Sequence, residues 1–471
     1  MISDLTGKAQ RMMLILISFL LFTGCQRDDP GPVDPNKKEI EINDWIWDQM
    51  NTYYYWEDQL IDGDRSATEH ESYFNSLLYK DDIFSWISDD AESLQDELDG
   101  EILALGFSPA FGVFDNSDNI FIVVEYVYPG SNAETAGLQR GDIILKIDGQ
   151  NLTRDNYLEL YDKSDYTITL GEYNGNGISE TDKEISISSN NIEVNPIVYS
   201  EILDVQSHRI GYMVYVDFIS GNDNEKLDDL GKLIDDFTDN GVTELIVDLR
   251  YNRGGDVEAA KYLGSMLVPE SNRSNRDVFV RFDYNEFLEQ YYLQKEGENS
   301  DHLSIRFGET GHHLDLHQVI FLTTGHTASA SELLVVGLEP YMPVTTIGEP
   351  TFGKFYGSFV LYDENDPPKH NWAIIPVVLK YRNADGFSDF VNGITPDYFI
   401  SDNLLEAKPF GEMTDPMLSR AVSYITGQPV DENAKKSLIK PYREMPDEGR
   451  IRNHNILMNG LVESVNQLSI R

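Results

Sequence analysis

The chain has 471 residues, of which 36 are Lys or Arg and 81 are Asp or Glu, so its formal net charge is −45 and its pI is about 4.3. A negative charge of this size repels polyanions and argues against a nucleic acid as a partner. The 41% hydrophobic content can supply a buried core, and the length is that of about three domains of roughly 150 residues each.

The N-terminal residues have the layout of a secretion signal. Two basic residues, Lys8 and Arg11, precede an apolar run and a few small residues that end at Cys25. The run is too short and wrongly flanked for a membrane-spanning helix. The letters LFTGC resemble a bacterial lipobox, which implies that residues 1–24 are a signal peptide and that Cys25 is lipidated. A cleaved signal with an incidental cysteine is the alternative.

Lipidation of Cys25 would anchor the protein to a membrane of the bacterial cell envelope. The residues from 25 to 38 are rich in proline and charge, which predicts a flexible tether. The acidic pair Asp28 and Asp29 suggests display on the outer surface, and a periplasmic face stays open. Because Cys25 is the only cysteine, its lipidation leaves no thiol for a disulfide, and packing must hold the fold.

Residues 39–98 are predicted to form a small N-terminal helical domain. Apolar and aromatic residues recur there at helical spacing, among them Ile42, Trp45, Ile46 and Tyr53. An aromatic stripe of this kind is typical of a core. The pattern indicates no chemistry for this domain.

Residues 102–192 change to a strand-like pattern. Two β-rich runs, IFIVVEYVYPG and GDIILKIDGQNL, flank SNAETAGLQRGD, which suits one short helix. The stretch resembles a PDZ domain of the kind found in bacterial processing proteases. PDZ domains add an extended peptide to a sheet edge and hold its terminal carboxylate with backbone amides. The resemblance assigns that loop to Leu105, Gly106, Phe107 and Ser108. A groove that is filled, or used only for packing between domains, is the alternative.

Strands and helices alternate over residues 196–425, which predicts a mixed α/β domain. VTELIVDLR is typical of a buried strand, and QVIFLTTGHTASASELLVVGL indicates a strand, a turn and a helix. Residues 271–317 have weak periodicity and are interpreted as an insertion. Residues 426–471 form a C-terminal extension whose role the sequence does not indicate.

The stretch TASASELLVVGL has two serines at the start of a helix, and a nucleophilic serine needs a base. No G-x-S-x-G elbow is present. His326 precedes the helix in a loop, where a histidine more often serves structure. The histidines of HHLDLH lie in a polar stretch without a partnered Cys or Glu motif, so no metal site is expected. Lysine is the remaining candidate base.

Lys354 lies in GEPTFGKFYG, an apolar setting that disfavours the charged amine. Lowering its pKa from about 10.4 to about 7 takes roughly 4–5 kcal/mol of differential desolvation. A neutral lysine can then accept a proton from a serine, as in known serine–lysine pairs.

These motifs resemble the C-terminal processing peptidase, or tail-specific protease, family of serine peptidases. The resemblance makes Ser329, not Ser331, the nucleophile and Lys354, 25 residues later, the base. It implies that Glu332 orients the site. DLRYNRGGD matches the family's glycine pattern, and the implied oxyanion donors are the amides of Gly254 or Gly255 together with Ala330. Some members carry a glutamine four residues after the lysine, where this chain has Ser358, so the support of the amine is in question.

The resemblance implies a multidomain α/β protein. It would consist of the small N-terminal helical domain, the PDZ-like β-rich domain and a mixed α/β serine peptidase domain of the ClpP/crotonase-like type. The implied activity is that of a serine endopeptidase acting on unfolded or C-terminally presented polypeptides, without a cofactor. A catalytically weak or inactive peptidase fold that binds peptides is the alternative function.

Overall fold

The N-terminal region is helical, as predicted, and joins the core of the α/β domain. The computed structural model describes residues 37–115, 117–429 and 440–445. The elements of this region are α1 (Lys37–Tyr53), α2 (His70–Leu77), β1 (Trp86–Ser88) and α3 (Ala91–Leu98). Buried side chains on α1 and α2 pack in one cluster with side chains of the α/β domain. The region is therefore a helical cover on a shared core.

The predicted N-terminal signal and most of the tether lie outside the described residues. This applies to residues 1–24, to Cys25 and to the tether as far as residue 36. The last two residues of the predicted tether, Lys37 and Lys38, already belong to α1. Across the described residues, no helix combines the length and apolar character that crossing a membrane requires.

The next region is a β-rich unit of PDZ type. Its elements are β2 (Glu101–Ala104), β3 (Phe107–Val113), β4 (Ile120–Val127), α4 (Asn132–Thr135), β5 (Ile143–Ile147), β6 (Gln150–Asn151), α5 (Tyr157–Tyr161), β7 (Asp165–Tyr173), β8 (Ile178–Ser188) and β9 (Asn190–Glu193). Strands β3, β4, β5, β7 and β8 are neighbours in one antiparallel sheet, with β6 paired to β5. Strands β2 and β9 form a separate ribbon where the chain enters and leaves the unit.

The α/β domain follows from Ile197. Its elements are β10 (Ile197–Val205), β11 (His208–Tyr215), α6 (Glu225–Asp239), β12 (Glu244–Asp248), α7 (Val257–Leu267), α8 (Glu270–Ser274), β13 (Val278–Tyr284), α9 (Glu286–Glu296), β14 (Ser304–Arg306), β15 (Gln318–Thr323), α10 (Ala330–Leu338), β16 (Val344–Gly348), β17 (Tyr356–Ser358), β18 (Leu361–Tyr362), β19 (Ala373–Ile375), β20 (Val377–Asn383), β21 (Tyr398–Phe399) and α11 (Pro416–Thr426). The predicted fold class, a multidomain α/β protein with these three regions, is confirmed.

The main sheet has the strand order β10-β11-β12-β15-β16-β21 and is parallel from β11 to β21. All five residues of β12 are buried, as expected for a parallel strand covered on both faces. Side chains on one face of the main sheet belong to a hydrophobic cluster that also includes residues of α7 and α10. Side chains on the other face belong to a second cluster, which includes residues of α11 and of the PDZ-like sheet. The PDZ-like unit is thus docked on the main sheet.

The interpretation of residues 271–317 as an insertion is wrong. Strand β13 lies inside an antiparallel sheet of order β14-β13-β20-β17. Its Phe279 and Val280 are fully buried and contribute to the largest core cluster. Residues 280–284 alternate apolar and polar side chains, which is a strand pattern. The place of this strand in the core could not be read locally, because its partner β20 lies about a hundred residues further along the chain.

Only small parts of the C-terminal extension are described. They include residues 440–445, within which β22 (Arg443–Glu444) pairs with β3 of the PDZ-like sheet. The residues 430–439 and 446–471 lie outside the described part of the chain.

Candidate active site

Three neighbouring parallel strands deliver the predicted site residues to one edge of the main sheet. Gly254 and Gly255 follow β12, Ser329 follows β15, and Lys354 lies in the segment after β16. These strands are adjacent in the order β12-β15-β16. Loops beyond the carboxyl ends of parallel strands are the common place for sites in α/β sheets. The topology therefore unites residues that lie up to a hundred positions apart.

Ser329 occupies a strained turn at the start of α10. Its φ angle is +60°, an uncommon value for a residue with a side chain. The turn is fixed by the loop after β12: the Thr327 hydroxyl donates to Leu249 O at 2.7 Å, and Ala328 N–H donates to Asn252 O at 3.1 Å. Backbone strain held by surrounding contacts is frequent at functional residues.

Ser331 is buried in the first turn of α10, as expected. Its hydroxyl donates to Asn252 O at 3.1 Å. Asn252 also donates from its side chain to Tyr215 O at 3.0 Å. Ser331 and Asn252 therefore connect the helix start to the main sheet.

Glu332 joins the backbones of the two predicted catalytic residues. Its Oε2 atom accepts the N–H of Ser329 at 2.8 Å and the N–H of Lys354 at 2.9 Å. Its Oε1 atom accepts Gly353 N–H at 2.7 Å and the Thr351 hydroxyl. Burial raises the pKa of Glu332 although these hydrogen bonds favour the ionised form. The carboxylate thus ties the nucleophile turn to the lysine segment.

Tyr381 on β20 makes a second link between the same residues. Its hydroxyl lies 3.2 Å from the carbonyl oxygen of Ser329 and 3.1 Å from that of Lys354. Sequence reasoning missed Tyr381, because nothing in the strand pattern distinguishes it from any other core tyrosine. With Glu332, it holds both residues through their backbones.

Lys354 is fully buried, and the N-terminal region forms part of its surroundings. Burial lowers the pKa of Lys354 to about 7, although the carboxylates of Asp82 and Glu332 oppose the shift. The Lys354 Nζ atom lies 5.7 Å from the centre of the Phe84 ring. Asp82 is itself held by the Tyr54 hydroxyl at 2.7 Å. The aromatic pattern of this region did not indicate that it would touch the site.

The two glycines approach Ser329 and the neighbouring strand closely. Both have positive φ angles, +112° for Gly254 and +125° for Gly255. A Cβ atom on Gly254 would lie 2.7 Å from the Ser329 Cβ, and one on Gly255 would lie 2.2 Å from Phe218 O. Only glycine fits at both positions.

The three predicted oxyanion donors differ in their hydrogen bonding. The Gly254 N–H already donates to Asn252 Oδ1 at 2.9 Å, so in this conformation it is turned to its own loop. The amides of Gly255 and Ala330 are therefore the better candidates.

Ser358 does not support Lys354 through a hydrogen bond. Its hydroxyl is buried in β17 and has no hydrogen-bond partner among the described residues.

The predicted carboxylate-binding loop lies at the start of β3. Leu105 and Phe107 are buried in the core of the PDZ-like unit, and the Ser108 hydroxyl donates to Glu125 at 2.6 Å. Gly106 has a φ of +98°, and a Cβ there would lie 2.4 Å from Ser131 Cβ. The glycine is thus needed for contact with Ser131. The side chain of Ser108 is already engaged in a hydrogen bond within the unit.

A cavity of about 870 Å³ extends between the PDZ-like unit and the α/β domain. Its lining includes Leu105, Phe107 and Ser108 of the PDZ-like unit and Gly255 and Asp256 of the α/β domain. The cavity thus connects the predicted peptide-binding loop with a predicted oxyanion donor.

His326 links the PDZ-like unit to the nucleophile loop. It contacts Glu125 on β4 at 3.0 Å and Glu444 on β22 at 3.4 Å. Burial and the nearby Arg253 oppose its protonation, but the two carboxylates outweigh them and raise the pKa of His326 to about 9. A charged histidine of this kind is a structural link rather than a base.

The polar histidines of HHLDLH do not converge. His312 contacts Asp235 on α6 at 2.8 Å. Across the described residues, no three His, Cys, Asp or Glu side chains are grouped so that they could hold a metal ion.

Three models of known families match parts of the chain. The model of peptidase family S41 matches residues 209–400, the S41 N-terminal domain matches residues 41–86, and a PDZ domain matches residues 123–162. The PDZ match covers β4 to α5, so it spans only part of the sheet described above.

The chain is also similar to individual proteins named as carboxyl-terminal-processing proteases. The chain is 24% identical to a carboxyl-terminal-processing protease from Picosynechococcus over 71% of this chain and 72% of the relative. It is 26% identical to carboxy-terminal processing protease CtpA of Bacillus subtilis over 74% and 66%. A crystal structure of a Bacteroides fragilis protein assigned to the S41 proteases is 27% identical, with a TM-score of 0.67 over 81% of this chain and 97% of that one. The motifs and the order of domains had predicted this membership: the chain belongs to peptidase family S41.

Proposed function

We propose that the protein is a serine endopeptidase in which Ser329 is the nucleophile and Lys354 the general base. The observation that carries the proposal is the double link between their backbones, through Glu332 Oε2 and the Tyr381 hydroxyl. The burial that lowers the pKa of Lys354 to about 7 supports it further. A neutral amine near neutral pH is what a general base requires.

The reaction would proceed through an acyl-enzyme. The neutral Lys354 amine takes the proton of the Ser329 hydroxyl while its oxygen attacks the scissile carbonyl carbon. The N–H groups of Gly255 and Ala330 would stabilise the developing oxyanion. The Lys354 ammonium then gives its proton to the leaving amine. A water molecule then hydrolyses the ester. Lys354 takes a proton from this water while the water oxygen attacks the acyl carbon. The bond between the Ser329 oxygen and the acyl carbon breaks, the carboxylate product leaves, and Ser329 regains a proton.

The PDZ-like unit would present the substrate's C-terminal end. An extended peptide would add to the edge of β3 and place its carboxylate at residues 105–108. The cavity between this loop and Gly255 supports a route for the chain toward the site. Acidic residues line much of this cavity: Asp96, Glu97, Asp99, Glu101, Glu193, Asp217 and Asp256. Neutral or basic substrate segments would therefore be favoured over acidic ones.

The proposal is tested with the purified protein and an unstructured polypeptide. We expect cleavage by the wild type and none by Ser329→Ala or Lys354→Met, with all three equally folded by circular dichroism. Equal cleavage by the wild type and Ser329→Ala would refute the proposal. A serine-reactive covalent probe separates the two candidate functions: labelling of Ser329 fits an enzyme, whereas peptide binding without labelling fits a binding protein.

We further propose that Cys25 carries a lipid that anchors the protein in the cell envelope. This residue lies outside the described part of the chain, and the proposal rests on the signal-like residues before it. Labelled fatty acid should be incorporated into the wild type, and incorporation into Cys25→Ala would refute the anchor. Protease treatment of intact cells then distinguishes an outer-surface protein, which is degraded, from a periplasmic one.

A further inference from the structure

The outer edge of β3 is covered by the chain's own C-terminal segment. Arg443 pairs with Val113 and Glu444 with Gly112, in antiparallel orientation. The next residue, Met445, donates its N–H to Phe111 O at 2.8 Å. Without this segment β3 would be the open edge of its sheet. Open edges of this kind are where peptides add to PDZ domains.

The segment runs in the direction that a bound peptide would take. Because the pairing is antiparallel, its residue numbers rise as those of β3 fall, toward Phe107 and the loop before it. A ligand with its carboxylate at that loop would have the same polarity. At about 3.4 Å per residue, an extended ligand of about six residues would reach from the loop to Gly112 and occupy the same edge.

Two side chains of the segment are also seated, and because Tyr442 and Met445 are three residues apart they lie on opposite faces of the strand. Tyr442 is buried, with its ring 5.4 Å from that of Phe121 and its hydroxyl accepting Leu404 N–H at 3.3 Å. The Met445 sulfur lies 3.5 Å from an Arg154 nitrogen, on the side of β3 where α5 packs. Main-chain pairing together with a seated side chain, here that of Met445 against the PDZ-like core, is the PDZ mode of recognition.

Ion pairs connect the segment to both active-site loops. Lys440 contacts Glu444 at 2.7 Å and Glu349 at 3.2 Å, and Glu349 begins the stretch that leads to Lys354. Glu444 also contacts His326, which lies three residues before Ser329. The segment thus bridges the PDZ edge and the loops that carry the candidate nucleophile and base.

We propose that residues 440–445, which we call the strap, are an intramolecular peptide ligand of the β3 edge that an incoming peptide end must displace. The role of this edge in substrate capture rests on the proposed function. The pairing of the strap with the β3 edge is independent of that function. A tethered ligand acts at an effective concentration of up to about 1 mM. An external peptide therefore meets an edge that is already filled, and it binds more weakly than it would to an open one.

The test uses the full chain with Ser329→Ala, so that no probe is cleaved. The probe is the hexapeptide Lys-Pro-Tyr-Arg-Glu-Met, the strap's own sequence, with fluorescein at its amino end and a free carboxylate. Met445→Pro removes the N–H that donates to Phe111, whereas Met445→Leu keeps it and serves as the matched control. We expect the proline variant to bind the probe at least ten times more tightly than the leucine variant does, as measured by fluorescence anisotropy. The reversed hexapeptide should bind neither variant.

A second variant guards against misfolding of the proline variant. Lys440→Met with Glu444→Gln removes the ion pairs without altering the backbone, and we expect a smaller gain in probe affinity. In the Leu control, excess probe should also speed amide exchange in residues 440–445. Equal probe affinities for the Pro and Leu variants, with exchange unchanged by the probe, would overturn the proposal. Ser329-dependent cleavage is measured separately in the parent protein, so either proposal can fail alone.

Discussion

The backbone amides of Ser329 and Lys354 converge on a single carboxylate oxygen, Oε2 of Glu332, at 2.8 and 2.9 Å. Donors face both carboxylate oxygens of Glu332. A glutamine cannot reproduce this arrangement, because it has only one carbonyl oxygen and would turn an NH₂ group toward the donors that now face the second oxygen. We expect Glu332→Gln to lose about 2–4 kcal/mol of unfolding free energy and at least tenfold in cleavage rate. Denaturant unfolding and peptide cleavage measure the two effects. Glu339→Gln, at the exposed other end of α10, is the control and should change neither.

Tyr381 and Tyr284 allow the hydroxyl link to be tested with a matched pair. Both are buried on the paired strands β20 and β13, but the Tyr284 hydroxyl has no hydrogen-bond partner among the described residues. Tyr381→Phe should lower kcat several-fold and cost about 1 kcal/mol of stability, the usual value of one hydrogen bond. Tyr284→Phe should be neutral or slightly stabilising. Equal effects of the two variants on kcat would contradict a positioning role for Tyr381.

The pH dependence of cleavage should report the state of Lys354. Burial lowers its pKa to about 7, and only the neutral amine can take the Ser329 proton. Activity should therefore be low at pH 5, rise through a midpoint near 7 and level off above about pH 8. The measurement is kcat/KM across this range. A profile that rises only near pH 10 would mean that the amine is charged at neutral pH and would contradict the proposed base.

The sequence could predict the parts of the site that depend on local patterns. Three of these parts are each encoded in one short stretch of sequence whose residues favour the observed local conformation. They are the strand before Ser329, the helix after it and the glycine pair. Lys354 could be singled out because its neighbours are apolar. These residues meet because the parallel strands β12, β15 and β16 are adjacent, which the alternation of strands and helices suggested but did not specify.

Contacts between distant segments could not be predicted in this way. Asp82 and Phe84 reach Lys354 from a region whose aromatic stripe indicated only a core, and Tyr381 lies in a strand that pairs with one about a hundred residues earlier. Residues 271–317 were misread for a different reason in part: residues 280–284 of β13 do alternate apolar and polar side chains, as a strand does, and only the burial against partners far away in the chain could not be seen locally.

Asp82 and Phe84 should move the pH profile in opposite directions. Phe84→Ala would admit water to the Lys354 amine, reduce its desolvation and shift the midpoint of activity to higher pH. Asp82→Asn would remove a carboxylate that favours the charged amine and shift the midpoint to lower pH. The readout is the midpoint of the kcat/KM profile, which a general loss of folding would leave unchanged. Shifts in the same direction would contradict this account of the lysine's surroundings.

His326 should stabilise the protein in a pH-dependent way. Its carboxylate partners, Glu125 and Glu444, raise its pKa from 6.5 to about 9. A raised pKa means that the stabilisation is fully present below pH 6.5, declines as pH rises and is lost above about pH 9. We expect His326→Gln to be less stable than the wild type by roughly 3 kcal/mol at pH 6, with the two converging by pH 10. Denaturant unfolding at both pH values measures the gap. A gap that stays constant between pH 6 and 10 would show that His326 acts through packing rather than through its charge.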